Sequence, residues 1–136
     1  MAEVGIDIIE TARIGRVLEK HGERFLRRVY TEWERAYCRR NVLHLAGRWA
    51  AKEAVSKVLG LGVHGVGWRE IEILRTPRGQ PIVRLHGNAE RRRLTLGLGA
   101  MTVSISHIRD LAVAAAVGEA PLGVSDGARR MTELAE

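Results

Sequence analysis

Apolar positions along the chain follow two different periods. Residues 2–9, "AEVGIDII", alternate as a strand does: Val4, Ile6 and Ile8 share one face, and Gly5, Asp7 and Ile9 the other. From residue 11 the period lengthens. Residues 11–21 predict a basic amphipathic helix, with Ile14, Val17 and Leu18 inward and Arg13, Arg16 and Lys20 on exposed faces. Gly22 is its expected stop, and a short helical piece follows over 23–29. Thr31 with Glu34 three residues on is a capping-box signal, so "TEWERAYC" starts another turn or two of helix. The longest helical pattern covers 42–59 and ends at Gly60. After the loop "GLGVHGVG", "WREIEILRT" alternates as a strand, "PRGQP" turns, and "IVRLH" returns to make a hairpin. Asn88 is the expected N-cap of a basic helix in "AERRRLTLG". "MTVSISHI" and "LAVAAAV" predict a second hairpin, turning near Arg109–Asp110.

Helices segregated from antiparallel strands indicate an α+β fold, an antiparallel sheet with helices packed against it. One domain over 1–117 accounts for every periodic segment. From Gly118 the residues are small and polar with no period, so 118–136 is expected to be a mobile tail.

Composition narrows the function. At 136 residues and 46% hydrophobic, the chain suits one packed core. No apolar run approaches the ~20 residues of a membrane span. The first residues, "MAEVGIDIIE", carry acids where a signal peptide carries Lys or Arg, which predicts a cytoplasmic protein. The single cysteine, Cys38, cannot form an internal disulfide and reads as an ordinary helical thiol. Lys and Arg number 22 against 16 acids, a formal charge of +6, so the partners are expected to be anionic: nucleic acid, phosphate-rich ligands or an acidic protein. Aromatics at 4% supply few stacking platforms for single-stranded nucleic acid.

Three elements carry candidate chemistry. In "LAGRWAAKEAVSKVLGLG" (45–62), Glu53 and Lys57 lie about 40° apart on the helix and border an apolar stripe of Leu43, Ala50, Ala54, Val55 and Val58. Arg48 and Lys52 fall beyond the other edge of that stripe, Arg48 roughly 140° from Glu53. A plain Glu–Lys pair at this spacing would be worth ~0.2–0.5 kcal/mol. The glycines at the helix exit offer the alternative of backbone N–H groups close to phosphate. "GLGVHG" matches a dinucleotide fingerprint literally. However, it closes a helix instead of following a strand, so that reading is rejected. Asp7 interrupts an apolar strand beside the space left by Gly5, and an acid there needs a partner, a cation or solvent. With Glu53 it could form an oxygen-rich Mg²⁺ site completed by phosphate and water. In "SISH" (104–107), Ser104 and Ser106 face away from His107, and no G-x-S-x-G is present, so a serine hydrolase is not supported.

Together, "GIDIIETARI", "GRWAAKEAVSKVLGLG" and "VSISH" resemble the holo-acyl-carrier-protein synthases, the small bacterial type of 4′-phosphopantetheinyl transferase. "FLRRVYTEWERAYC" resembles that family's segment after its first helix. The likeness covers roughly residues 3–117. It implies the fold of that family and transfer of phosphopantetheine from coenzyme A to a serine of acyl carrier protein. It also implies release of adenosine 3′,5′-bisphosphate, a need for Mg²⁺, and a place in fatty acid biosynthesis. Carried over by motif, Asp7 and Glu53 would be metal ligands and Lys57 would contact phosphate. Gly60 and Gly62 would line the coenzyme site. His107 would sit near the coenzyme or act as a base. Ile108 stands where some members have an Asp after this His, and Asp110 is not put in its place. The resemblance further implies a homotrimer with sites between subunits. Arg48 would then reach a coenzyme in a neighbour's site or brace the interface. Arg13, Arg16 and Lys20, with Arg24 and Arg27 following, would dock an acidic carrier. Two readings compete: a nucleic-acid-binding module using the arginine runs at 27–28, 39–40 and 91–93, and a noncatalytic adaptor for acidic proteins.

Overall fold

The computed structural model describes residues 1–60 and 65–120. Strand β1 (Ala2–Glu10) leads into three short helices, α1 (Thr11–His21), α2 (Glu23–Val29) and α3 (Glu32–Cys38). The long helix α4 (Val42–Leu59) comes next, followed by a 3-10 turn (Trp68–Glu70). Hairpin β2 (Ile71–Arg75) and β3 (Pro81–Leu85), helix α5 (Gly87–Leu96) and hairpin β4 (Thr102–His107) and β5 (Leu111–Glu119) complete the described elements. All pairings are antiparallel. One sheet has the order β1-β5-β4, and β2 with β3 forms a second. The expected α+β class holds.

Local signals explain most of these boundaries. The Thr31 hydroxyl accepts from Glu34 N at 3.2 Å while the Glu34 carboxylate accepts from Thr31 N at 2.8 Å, a complete capping box. The Asn41 side chain caps α4 by accepting from His44 N at 3.0 Å. Gly60 ends it with φ of 77°, a left-handed conformation that a side chain would oppose.

Three boundaries differ from expectation. Residues 68–70 form a 3-10 turn, not strand: Glu70 N donates back to Gly67 O at 3.0 Å, and the distant Lys52 donates to the Trp68 carbonyl at 3.0 Å. Helix α5 starts at Gly87 with His86 at the cap, so Asn88 lies inside its first turn. Glu70 accepts from Asn88 N at 3.3 Å, and the Asn88 side chain accepts from Arg91 instead of capping. Strand β5 runs on through Gly118 and Glu119, where the tail was expected, and Ala120 N donates to Met1 O at 3.0 Å. The remainder of the tail, 121–136, is outside the described residues.

Helix α4 lies across the inner face of the three-stranded sheet. Ala50, Ala51, Ala54, Val55, Val58 and Leu59 are buried there against Ile9, Ala112, Ala114 and Ala116. Small residues set the spacing. A Cβ at Gly5 would lie 2.1 Å from Ala54 O, so α4 reaches β1 only because that position is bare. The opposite face of β1 is open, with Val4, Ile6 and Ile8 at 67%, 60% and 61% exposure.

Candidate active site

The close contact at Gly5 brings strand and helix chemistry together. Asp7 and Glu53 line one cavity of about 450 Å³, with Glu10, Arg13, Trp49 and Leu111 among its other walls. Lys57 Nζ donates to Ile6 O at 2.7 Å and to the Asp7 carboxylate at 3.3 Å. Burial pushes the Asp7 carboxyl above its usual range, although the Lys57 ammonium and, more weakly, Arg13 pull it down. Ser56, buried behind this wall, donates its hydroxyl to Glu53 O at 2.7 Å.

A second cavity, of about 220 Å³, lies between α3, α4 and the two hairpins. Tyr37, His44, Arg48, Arg75 and His107 are among its walls. Arg48 is buried, its Nε donating to Ile73 O at 3.2 Å and its guanidinium 4.4 Å from the centre of the Tyr37 ring. Arg75 lies 5.6 Å from the same ring and donates to the Tyr37 hydroxyl at 2.8 Å. His44 is held below its ordinary value by burial first, then by its neighbours Arg48, His107 and Arg75. The two guanidiniums make this an anion-attracting wall.

A third cavity opens between α1, α2 and the 3-10 turn. Its walls are Val17, Phe25, Val29, Trp49 and Trp68, with His21, Arg24 and Arg28 at the rim. Trp49 belongs to this cavity and to the Asp7–Glu53 cavity alike.

The sequence-derived candidates therefore divide. Asp7, Glu53 and Lys57 meet on one side of α4, while Arg48 and His107 line a cavity that includes none of them. Gly60 ends α4 as expected, and Gly62 is outside the described residues. Arg13, Arg16 and Lys20 are exposed on α1, as their positions predicted. Cys38 is buried, and burial pushes its thiol up to about 11, so it is an inert core thiol. Lys52 was expected at the polar edge of α4 and is instead fully buried against Glu34. Only the capping-box acid, which pointed to Glu34 as structurally bonded, hinted at that partner.

The chain matches the model of the 4′-phosphopantetheinyl transferase superfamily over residues 3–116. It belongs to that superfamily. It is 46% identical over 125 residues to a holo-[acyl-carrier-protein] synthase of Herpetosiphon aurantiacus, covering 87% of this chain and 98% of that one. The crystal structure of the Helicobacter pylori holo-[acyl-carrier-protein] synthase in complex with coenzyme A superimposes with a TM-score of 0.78 at 29% identity, over 85% of this chain and 99% of that one. A Bacillus anthracis enzyme of the same name, in complex with CoA (3′,5′-ADP), gives 0.72 at 36% identity, over 88% of this chain and 96% of that one. The superfamily member described here is thus an enzyme of the holo-acyl-carrier-protein synthase type. No helix among its described residues is long and apolar enough to cross a membrane.

Proposed function

We propose that this enzyme moves the 4′-phosphopantetheine arm of coenzyme A onto a serine of an apo acyl carrier protein and releases adenosine 3′,5′-bisphosphate. One observation carries the reading: Asp7 and Glu53, from a strand and a helix, line a single cavity with Arg13 of the basic helix α1 at its wall. The coenzyme-bound relatives support the substrate class.

The donor set fits Mg²⁺. Asp7 and Glu53 offer carboxylate oxygens, and among the described residues no set of three or more His, Cys, Asp and Glu converges on one point. Two carboxylates on one cavity wall suit an ion that takes one or two of them and fills its remaining positions with phosphate and water. When bound, it would offset the charge of the pyrophosphate and align it for in-line displacement. Lys57, half exposed beside Asp7, takes charge on the phosphate oxygens as the bond between phosphorus and the bisphosphate oxygen breaks. The carrier's serine oxygen forms the new bond to phosphorus, and its proton passes to Glu53 or to solvent.

The nucleotide end of the coenzyme is assigned to the Arg48–His107 cavity of a neighbouring copy, with Arg48, Arg75 and His107 facing its phosphates. Gly60, at the end of α4, then lines the path between the two half-sites. A homotrimer, as the resemblance implies, closes the open Val4–Ile6–Ile8 face against other copies. The acidic carrier docks on Arg13, Arg16 and Lys20, and the apolar cavity behind Arg24 and Arg28 receives its apolar side chains. The enzyme works in the cytoplasm, among the carriers of fatty acid biosynthesis.

Intact-mass measurement of an apo carrier mixed with the enzyme, coenzyme A and Mg²⁺ tests this. The carrier gains one phosphopantetheine. Omitting Mg²⁺, or substituting Asp7→Ala or Glu53→Ala, abolishes the gain. Carrier binding with no gain would favour the adaptor, and salt-sensitive binding of generic RNA without coenzyme binding would favour the nucleic-acid module.

A further inference from the structure

Lys52 stands next to Glu53 on α4, yet it points the other way into the core and is fully buried. Its ammonium donates three hydrogen bonds: to the Glu34 carboxylate at 2.7 Å, to Ile71 O at 2.6 Å and to Trp68 O at 3.0 Å. Glu34 is equally buried. One of its oxygens also accepts from Thr31 N at 2.8 Å, and the other accepts from Ile73 N at 3.0 Å. An apolar pair of the same volume would fill this space with no desolvation cost, which for buried ions is several kcal/mol each. What ions supply and apolar groups do not is direction.

Two lines of contact leave this pair. In one, Lys52 holds Trp68 by its carbonyl, and the Trp68 ring packs 4.2 Å from Trp49, which lines both the Asp7–Glu53 cavity and the apolar cavity beside α1. In the other, Glu34 takes Ile73 by its N–H, and the carbonyl of the same residue accepts from Arg48, whose guanidinium lies over Tyr37 in the second cavity. The pair thus ties α3, α4, β2 and the 3-10 turn together behind both half-sites.

We propose that Lys52 is a positioning residue for catalysis: through Trp68 it sets Trp49 at the carboxylate half-site, and through Glu34 and Ile73 it sets Arg48 at the cationic half-site of each subunit. The inference rests on the reading that these two cavities are halves of one coenzyme site. A displacement of about 1 Å at either half lowers kcat/KM by up to about a hundredfold.

The test uses the full-length enzyme and the double variant Lys52→Met with Glu34→Gln, which removes both buried charges together. Glu34→Gln alone is the second variant, since its amide oxygen still serves Lys52 or Ile73. Leu96→Ala, a core change on α5 that lines neither half-site cavity, controls for lost stability. Expected for the double variant, well below its melting temperature, is at least a tenfold loss in kcat/KM for coenzyme A and a changed near-ultraviolet circular dichroism signal from the Trp49–Trp68 pair. Leu96→Ala lowers the melting temperature and leaves both readouts as in the wild type. Wild-type kcat/KM and an unchanged tryptophan signal in the folded double variant would overturn the proposal. So would failure of both the double and single variants to fold, which would make the pair a stability device only. Absence of transfer by the wild type would instead sink the functional reading itself.

Discussion

Glu72 sits between Ile71 and Ile73 in β2 and is nearly buried, so it should resist ionising. Burial does push its carboxyl up. Hydrogen bonds from Thr31 at 2.6 Å and from His86 at 3.0 Å, with the charges of His86 and Arg84, outweigh that and hold it below its ordinary value. A carboxyl depressed in the folded state adds stability above its unfolded pKa and loses it as pH falls through the folded value. Glu72→Gln is therefore less thermostable than the wild type at pH 7, and melting curves at successively lower pH show the gap closing below about 4.5. A gap that stays constant with pH would mean that the substitution acts through packing. Asp7 is the opposite case, an acid raised by burial beside Lys57. Its place in a strand of isoleucines already marked it as needing a cation. Glu72 gave no such signal, because β2 reads as ordinary alternation and Thr31 and His86 lie far from it in sequence.

Among the elements, α4 and β1 decide where the chemistry meets. The helix was predicted at 42–59 and is found there, since its caps and its alanines are local features. Its distance from β1 depends on Gly5. A Cβ there would lie 2.1 Å from a backbone oxygen that cannot swing aside. Gly5→Ala should cost about 1–3 kcal/mol by overpacking, read as a lower urea midpoint at unchanged slope. Its kcat/KM should fall further than the folded fraction, because Glu53 moves away from Asp7. Activity that simply tracks the folded fraction would show that the two carboxylates tolerate a wider gap. The 3-10 turn before β2 was not legible in "WREIEILRT", because Trp68 is held by a lysine sixteen residues back. Asn88 does not cap α5, because the Glu70 side chain, brought in by the turn, serves the backbone at that end of the helix.

At the scale of the whole molecule, the open face of β1 and the two separated half-sites point the same way. Three aliphatic side chains in one row of a strand are an unusual thing to leave in water. If the proposed trimer closes on this face, Ile6→Glu yields single subunits by sedimentation, with the circular dichroism of the fold retained and transfer lost. A variant that remains assembled would locate the contact elsewhere. Asp7→Ala and Arg48→Ala, each inactive alone, should recover part of the activity when their subunits are unfolded and refolded together. Sites composed of two subunits then include some with both halves intact. No recovery would place each whole site within one subunit.

The sequence by itself determined the element order, the α+β class, the capping box at Thr31 and the family motifs that single out Asp7, Glu53, Lys57 and His107. These rest on short-range physics: side-chain period, backbone capping and residue types at fixed spacing. Tertiary structure alone decided that Lys52 is buried on Glu34, that Arg48 bonds Ile73, and that His107 belongs to a different cavity from Glu53. Those outcomes depend on which distant group neutralises a charge, and desolvation sets that only once the chain has folded around it.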